Sequence, residues 1–234
     1  MSYEHQAAPP LSLQRYRSLL ESSLTSPLVE LVPFFCNLKR LEMLQTLLKR
    51  HVTEAPRRVL NVGSGPFATE CFSTSLAASE FTSLDYTSGF DAVYQALRDS
   101  GHLTNTDFFV ASATEVDFEP AYFDLILMHD LLYEPALDAP ALINHYHRFL
   151  KPGGYFFFDV MDCRIGPLWR ALGREKSHRR YALPALRNDI SHNFEVLEVR
   201  PYLGLWGPVD VMLRRLLWHT VGLANNFAFL IRSR

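Results

Sequence analysis

The sequence predicts an α/β fold with a doubly wound, parallel sheet, and two observations support that prediction. After residue 56, apolar segments rich in β-branched and aromatic residues alternate with segments of helical periodicity, which is typical of a sheet covered by helices on both faces. The first apolar segment, 57–62, runs directly into Gly63-Ser64-Gly65-Pro66-Phe67. Two glycines permit a tight strand-to-helix turn and a close backbone approach, so this loop predicts a nucleotide or nucleoside site.

Residues before the first strand are predicted to form a helical extension. Residues 1–10 are expected to be a flexible tail. Segment 11–24 has helical character, and apolar residues keep helical spacing from Phe34 to Leu48. Because 11–52 is too short for a core of its own, its apolar stripe must pack against the rest of the chain. We therefore expect 11–52 to be a helical lid over the active site of a domain formed by 53–234.

The later elements follow in order. The patterns predict further strands near 80–85, 107–111, 123–129, 154–160, 194–200 and 225–231. Helices are expected near 67–78, 90–99 and 139–150. Asp138 before Ala139-Pro140 predicts a capped start for the last of these helices.

Residues 208–221, between the last two strands, carry one apolar stripe that Trp218 broadens. The pattern favours a helix packed over the sheet edge or over a substrate pocket. A homodimer face and a peripheral membrane contact are the alternatives, since an aromatic residue and paired arginines suit both.

Composition is typical of a globular protein. The 234 residues are 48% hydrophobic and 21% charged, enough for one α/β domain with an appended element. A net charge of −2 gives no electrostatic basis for binding nucleic acid. Cys36, Cys71 and Cys163 have no C-x-x-C spacing, so neither a disulfide framework nor a zinc site is indicated. We expect a cytoplasmic protein without a signal peptide or transmembrane segment.

Asp85 ends the second predicted strand, 20 positions after Gly65. In doubly wound folds an acid at this point accepts hydrogen bonds from ribose hydroxyls. The alternative is an ordinary turn residue at a strand end. Gly63 to Ala68 also satisfies the dinucleotide pattern G-x-G-x-x-A, so a dehydrogenase is one possible interpretation.

Four landmarks in order resemble the class I S-adenosylmethionine (SAM)-dependent methyltransferases over roughly 57–160. They are the glycine loop, the stretch 111–118, the strand and loop 123–133, and Leu150-Lys151-Pro152-Gly153-Gly154 before 155–159. The resemblance implies a seven-stranded, mostly parallel sheet, with an antiparallel seventh strand inserted between the fifth and sixth. It also implies SAM as cofactor and S-adenosylhomocysteine (SAH) as product.

The resemblance further implies a set of cofactor contacts. Asp85 would bind ribose, and the Tyr86 ring would lie against adenine. The other implied cofactor-binding residues are Asn61, Gly63, Ser64, Gly65, Pro66, Ser112, Ala113, Thr114, Met128 and His129. This chain departs from the family pattern at four places: Asn61 replaces the usual acid, Phe67 the third glycine, Ser112 a frequent Asp, and Glu134 a frequent His. The Asn61 amide can donate a hydrogen bond but brings no carboxylate charge.

Methyl transfer from SAM is an in-line displacement, so alignment of the reactants and exclusion of water matter most. A general base is needed only where the acceptor holds its proton at neutral pH. His129, at the tip of the fourth strand, is the catalytic candidate; the alternative is that only its backbone lines the cofactor pocket. Tyr133 and Glu134 are weaker candidates. Asp159 and Asp162 lack the Asp-Asn pair of cation-dependent O-methyltransferases, so no metal is expected.

Four functions remain open from the sequence. The first is methyl transfer from SAM to a small, apolar or aromatic molecule, because the variable regions are rich in Leu, Phe, Trp and Tyr. The second is other SAM chemistry, such as aminocarboxypropyl transfer. The third is a non-catalytic scaffold with the same fold, and the fourth is a dehydrogenase.

Overall fold

The computed structural model describes residues 10–165, 167, 178–202 and 226–234. The tail before residue 10 and the segment 208–221, with its homodimer and membrane alternatives, lie outside these residues. The strands are β1 Arg58–Val62, β2 Glu80–Asp85, β3 Thr106–Val110, β4 Phe123–Met128, β5 Leu150–Met161, β6 Phe194–Tyr202 and β7 Asn226–Ser233.

The strands form one seven-stranded sheet in the order β3-β2-β1-β4-β5-β7-β6. β1 to β5 pair in parallel, and β7 is antiparallel to both β5 and β6. The predicted architecture is therefore confirmed, including the insertion of the seventh strand between the fifth and sixth. Because parallel strands align their carboxyl ends, the tips of β1, β2, β3, β4 and β5 lie along one edge of the sheet.

Helices cover both faces of the sheet. They are α1 Leu13–Ser23, α2 Val32–Phe35, α3 Lys39–His51, α4 Ala68–Phe72, α5 Phe90–Asp99, α6 Ala139–His147 and α7 Leu183–Ile190. The predicted cap of α6 is present, since the Asp138 side chain accepts the N–H of Ala141 at 3.0 Å.

Two predicted helices were too long. The segment predicted near 67–78 is α4 followed by a 3-10 turn over Thr74–Leu76. Ser73 is extended (ψ 104°) and interrupts the helix, in a Ser-Thr-Ser run of modest helix propensity. The helix predicted over 139–150 ends at His147, because Leu150 already pairs with Phe123 as the first residue of β5.

The N-terminal helices pack on the sheet domain at two places. Tyr16 and Leu20 of α1 are fully buried in one apolar cluster with Val93 and Leu97 of α5. The α3 leucines at 41, 44, 47 and 48 join a cluster on one face of the sheet. The predicted extension thus has the expected helices and buried stripe, and its opening and closing as a lid stays a prediction.

Candidate active site

The glycine loop after β1 has the left-handed conformation that the sequence suggested. Gly63 (φ 69°) and Gly65 (φ 57°) both lie where residues with a Cβ are strained. The Gly63 and Ser64 N–H groups donate to the Leu84 carbonyl at 2.8 and 3.0 Å, which ties the loop to β2. A Cβ added to Gly65 would meet no atom within 4 Å, so the space beside this residue is open to a ligand.

Asp85 lies directly beside that loop. Its carboxylate accepts the N–H of Gly65 at 3.0 Å and the N–H of Thr87 at 2.9 Å. The two oxygens together offer about four lone-pair directions, so ribose hydroxyls can still donate to them. The next side chain, Tyr86, is 74% exposed and free to lie against a planar ring. The open loop, the acid and the exposed ring together leave space, hydrogen-bond acceptors and an aromatic surface at this edge of the sheet.

Phe67 takes the position of the missing third glycine and keeps a glycine-like backbone (φ 67°). Its side chain is fully buried and packs edge-on against Phe108, with ring centroids 4.9 Å apart. The left-handed conformation costs about 1–2 kcal/mol in a residue with a Cβ, and this packing offsets the cost. The neighbouring Pro66 carbonyl accepts the Tyr16 hydroxyl at 2.7 Å, so α1 holds the loop from outside.

Asn61 does not turn toward the open side of the loop. Its side chain is 1% exposed, and its amide donates to Glu70 Oε1 of α4 at 2.9 Å. The Ser83 hydroxyl donates to the same oxygen. Burial raises the pKa of Glu70, while these two hydrogen bonds oppose the rise. Asn61 Oδ1 and Glu70 Oε2 are buried without a hydrogen-bond partner among the described residues.

The stretch after β3 lies at the same edge of the sheet. Asp85 and Val110 pair across β2 and β3, and the Ala111 N–H donates to the Asp85 carbonyl at 2.9 Å. The Ser112 and Thr114 hydroxyls bond one another at 2.9 Å, and the Ala113 carbonyl accepts the Tyr146 hydroxyl at 2.8 Å. These contacts shape the turn that the resemblance assigns to adenine.

The side chains of Met128, the last residue of β4, and of His129, the next residue, have different surroundings. Met128 is fully buried in the core, so only its backbone can reach a ligand. The His129 ring packs on Phe157 with centroids 4.7 Å apart. Its Nε2 is buried and has no hydrogen-bond partner in the described part of the chain. Burial lowers the pKa of His129 to about 4, although the nearby Asp159 carboxylate acts to raise it. The imidazole is therefore neutral at pH 7.

A charged cluster that the sequence did not reveal joins α3 to the ends of β4 and β5. Arg40 donates from Nη1 to Asp130 Oδ2 at 2.8 Å, and its Nη2 lies 2.6 Å from Asp130 Oδ1. Arg40 also donates to the Tyr133 hydroxyl at 2.9 Å, and its Nε lies 3.5 Å from Asp159 Oδ2. Asp159 Oδ1 accepts the Asp130 N–H at 2.7 Å. The sequence had named Tyr133 and Asp159 separately, but it gave no signal that Arg40 and Asp130 join them.

The loop after β4 borders the glycine loop. A Cβ placed on Gly63 would lie 3.1 Å from Leu131 Cδ1, a tight contact that adds to the strain of a left-handed backbone. The structure therefore brings together the glycine loop, Asp85, the turn after β3 and the His129–Asp130 tip. It turns the side chains of Asn61 and Met128 away from them. Among the described residues no group of three or more His, Cys, Asp or Glu side chains is placed to hold a metal ion.

Comparison with protein families identifies a methyltransferase domain over residues 60–158. No curated protein matches the chain by sequence. No helix in the described ranges is long and apolar enough to cross a membrane.

Solved structures share the fold over most of the chain. The N-methyltransferase NodS of Bradyrhizobium japonicum, in complex with SAH, is 16% identical with a TM-score of 0.60, over 93% of this chain and 98% of that one. The 1,6-didemethyltoxoflavin-N1-methyltransferase of Burkholderia thailandensis is 15% identical with a TM-score of 0.62, over 100% of this chain and 98% of that one. The [4+2]-cyclase SpnF is 18% identical with a TM-score of 0.60, over 82% of this chain and 80% of that one. At these identities the similarity is one of fold.

Proposed function

We propose that this protein, whose residues 60–158 match a methyltransferase domain, uses SAM as its cofactor and methylates a small apolar or aromatic molecule. The observation that carries the proposal is the juxtaposition of an open glycine loop with the Asp85 carboxylate, 3.0 Å from the Gly65 N–H. These groups would bind the ribose and the carboxypropyl part of SAM. SAM supplies an activated methyl group to the edge of the sheet where β4 and β5 end.

The chain's own residues would orient the reactants and exclude water. Tyr86 would cover the adenine, and the N-terminal extension, 11–52, would close over the acceptor as a lid. His129 is the proposed general base for acceptors that must lose a proton. A neutral imidazole with a pKa of about 4 is a weak base, so its buried Nε2 serves best as a hydrogen-bond acceptor at pH 7.

The proposal is tested by the mass of the product. The protein is incubated with SAM and a panel of aromatic acceptors, and each acceptor is examined by mass spectrometry. We expect an acceptor to gain one methyl group and the solution to gain an equal amount of SAH. A Gly65→Val variant is the matched control, because its branched side chain would fill the open space of the loop. No transfer to any acceptor, with SAH still bound, would contradict methyl transfer.

Other SAM chemistry is the second candidate, and the position of Asn61 favours it. The amide is turned toward Glu70, so no acid from the end of β1 faces the ammonium of SAM. The cyclase among the structural neighbours shows that this fold also serves another reaction. An acceptor that gained an aminocarboxypropyl group would identify this chemistry. Binding of SAM without any product would favour a scaffold, and preferential binding of NAD would favour a dehydrogenase.

We further propose a cytoplasmic location. Its support is chemical: Cys36, Cys71 and Cys163 are all free, as expected for a reducing compartment.

A further inference from the structure

Asp130 is the residue at the β4 tip whose backbone is most constrained. It has a left-handed conformation (φ 53°), which is uncommon for a residue with a side chain. Such a conformation persists only where surrounding contacts hold it, and it is concentrated at functional sites. Here the Asp130 N–H is held by Asp159 and its carboxylate by both terminal nitrogens of Arg40.

Among the described residues, the charges that act on Asp130 are predominantly negative. Arg40 is the cation beside it, whereas Asp159 and Glu134 add like charge. Burial raises the pKa of Asp130 above its usual range, Arg40 opposes the rise, and the two other acids reinforce it. Arg40 and Asp130 both remain about one fifth exposed, so a small molecule can reach the pair. A positive charge arriving here would be stabilised.

His129 provides a second, independent sign of a ligand at this place. Its Nε2 is buried and finds no hydrogen-bond partner among the residues that the structure describes. Asp159 and Arg40 are the charged groups that act on its ring, so the imidazole lies beside the cluster. With the proton on Nδ1, the neutral ring offers Nε2 as an acceptor. Carboxylate oxygens also accept hydrogen bonds, so a ligand that binds both the ring and a carboxylate must bring N–H donors.

The cluster lies beside the proposed cofactor site. Leu131 is the next residue after Asp130, and it contacts the position where a Gly63 side chain would stand. The loop that begins at His129 therefore borders the glycine loop, and Asp159 is joined to it through the Asp130 N–H. This is the edge of the sheet where ligands of open α/β sheets bind.

We propose that Asp130, Asp159 and His129 bind the methyl acceptor, and that this acceptor presents a basic nitrogen. The inference rests on the proposed function and names its substrate class as aromatic or apolar amines. Asp130, about one fifth exposed, holds the amine by charge and hydrogen bonds. Asp159, which is buried, adds negative charge beside it, and the buried Nε2 of His129 is the acceptor for a further N–H.

The transfer step is consistent with this arrangement. The Asp130 carboxylate first takes one proton from the bound ammonium group and passes it to solvent, which leaves a neutral amine. The amine nitrogen then gives its lone pair to the methyl carbon of SAM, the carbon–sulfur bond breaks, and sulfur keeps the bonding pair. Positive charge thereby appears on the methylated nitrogen, next to Asp130 and Asp159. Preorganised negative groups stabilise charge where it develops in a transition state. The surplus proton of the methylated nitrogen passes to the Asp130 carboxylate and then to solvent.

The test compares three ligands with one aromatic body and different head groups: benzylamine, benzyl alcohol and benzoate. Binding is followed in the SAH-saturated protein by NMR, through the backbone amides of Asp130 and its neighbours, at millimolar ligand. The variants are Asp130→Asn and Asp159→Asn, and Asn tolerates the left-handed backbone at 130. Asp117→Asn is the matched control, because Asp117 is 79% exposed and pairs with Arg148 elsewhere.

We expect benzylamine to bind at least about tenfold more tightly than benzyl alcohol or benzoate, as charge-assisted hydrogen bonds require. That preference should be lost in Asp130→Asn and Asp159→Asn and kept in Asp117→Asn. Equal binding of all three ligands, tighter binding of benzoate, or binding of none would overturn the inference. Failure of SAH itself to saturate the protein would instead overturn the proposed function.

Discussion

Replacing Asn61 by Asp should destabilise the protein in a pH-dependent way, although the methyltransferases that this chain resembles usually have an acid at that position. Asn61 is almost fully buried, and its amide donates to the buried Glu70 carboxyl at 2.9 Å. A second carboxyl there must either hold an extra proton or bury an extra charge beside Glu70. Holding a carboxyl with an ordinary pKa of about 3.9 in its protonated form at pH 7 costs about 4 kcal/mol, at 1.36 kcal/mol per pH unit.

The sign of the pH dependence follows from the raised pKa of the introduced carboxyl in the folded state. The protonated carboxyl does not lower the free energy of unfolding at low pH. That free energy falls as the pH rises above about 3.9, the pKa of the carboxyl in the unfolded chain. We therefore expect urea denaturation to show that Asn61→Asp is less stable than the natural protein. The difference in free energy of unfolding should grow by up to about 2.7 kcal/mol from pH 5 to pH 7.

Two further variants isolate the cause. Asn61→Asp combined with Glu70→Gln should recover much of the lost stability, because only one acid remains and Gln can donate to it. Asn188→Asp, at an exposed position, should change stability by no more than about 0.5 kcal/mol. The reasoning is refuted if Asn61→Asp is as stable as the natural protein at pH 7, or if its deficit is equal at both pH values.

Three more predictions test other parts of the structure. The raised pKa of Glu70 makes the natural protein lose stability as the pH rises above about 4, and Glu70→Gln should remove that part of the pH dependence. If urea denaturation shows the same pH dependence in the variant, Glu70 has an ordinary pKa and the reasoning is wrong. Gly65→Val should fold by circular dichroism yet fail to bind SAH in calorimetry, whereas Gly101→Val, also at a left-handed glycine, should bind normally. Amides in 11–32 should exchange with deuterium faster in the free protein than with SAH and acceptor bound; equal protection would show that Tyr16 and Leu20 fix this segment permanently.

The sheet was predictable because its signals are local. Strand composition, the two glycines and the acid at Asp85 each occur within a few residues, and their order along the chain determines a parallel sheet. The start of β5 was missed because Leu150-Lys151-Pro152-Gly153-Gly154 has turn residues, yet Leu150 pairs with Phe123 across an irregularity in the register. Pairing with β4 therefore extends β5 back to Leu150, although the sequence there is typical of a turn.

The site residues that were missed depend on long-range contacts. Arg40 and Asp130 are 90 positions apart, and nothing near either residue shows that they meet. Asn61 was assigned to the cofactor through the resemblance, but its orientation is set by Glu70, which becomes its neighbour only when α4 packs beneath the loop. Side-chain direction at a strand end is a property of packing, and a sequence pattern does not specify it.

The most direct test of the account is calorimetric titration of SAH into the natural protein, Asp85→Ala and the exposed control Asp107→Ala. The natural protein should bind one SAH per chain, and Asp107→Ala should match it. Asp85→Ala should bind at least about tenfold more weakly, since each charge-assisted hydrogen bond from ribose contributes about 1.5–3 kcal/mol. Absence of SAH binding by the natural protein, or unchanged affinity in Asp85→Ala, would contradict the assignment of this edge of the sheet as the cofactor site.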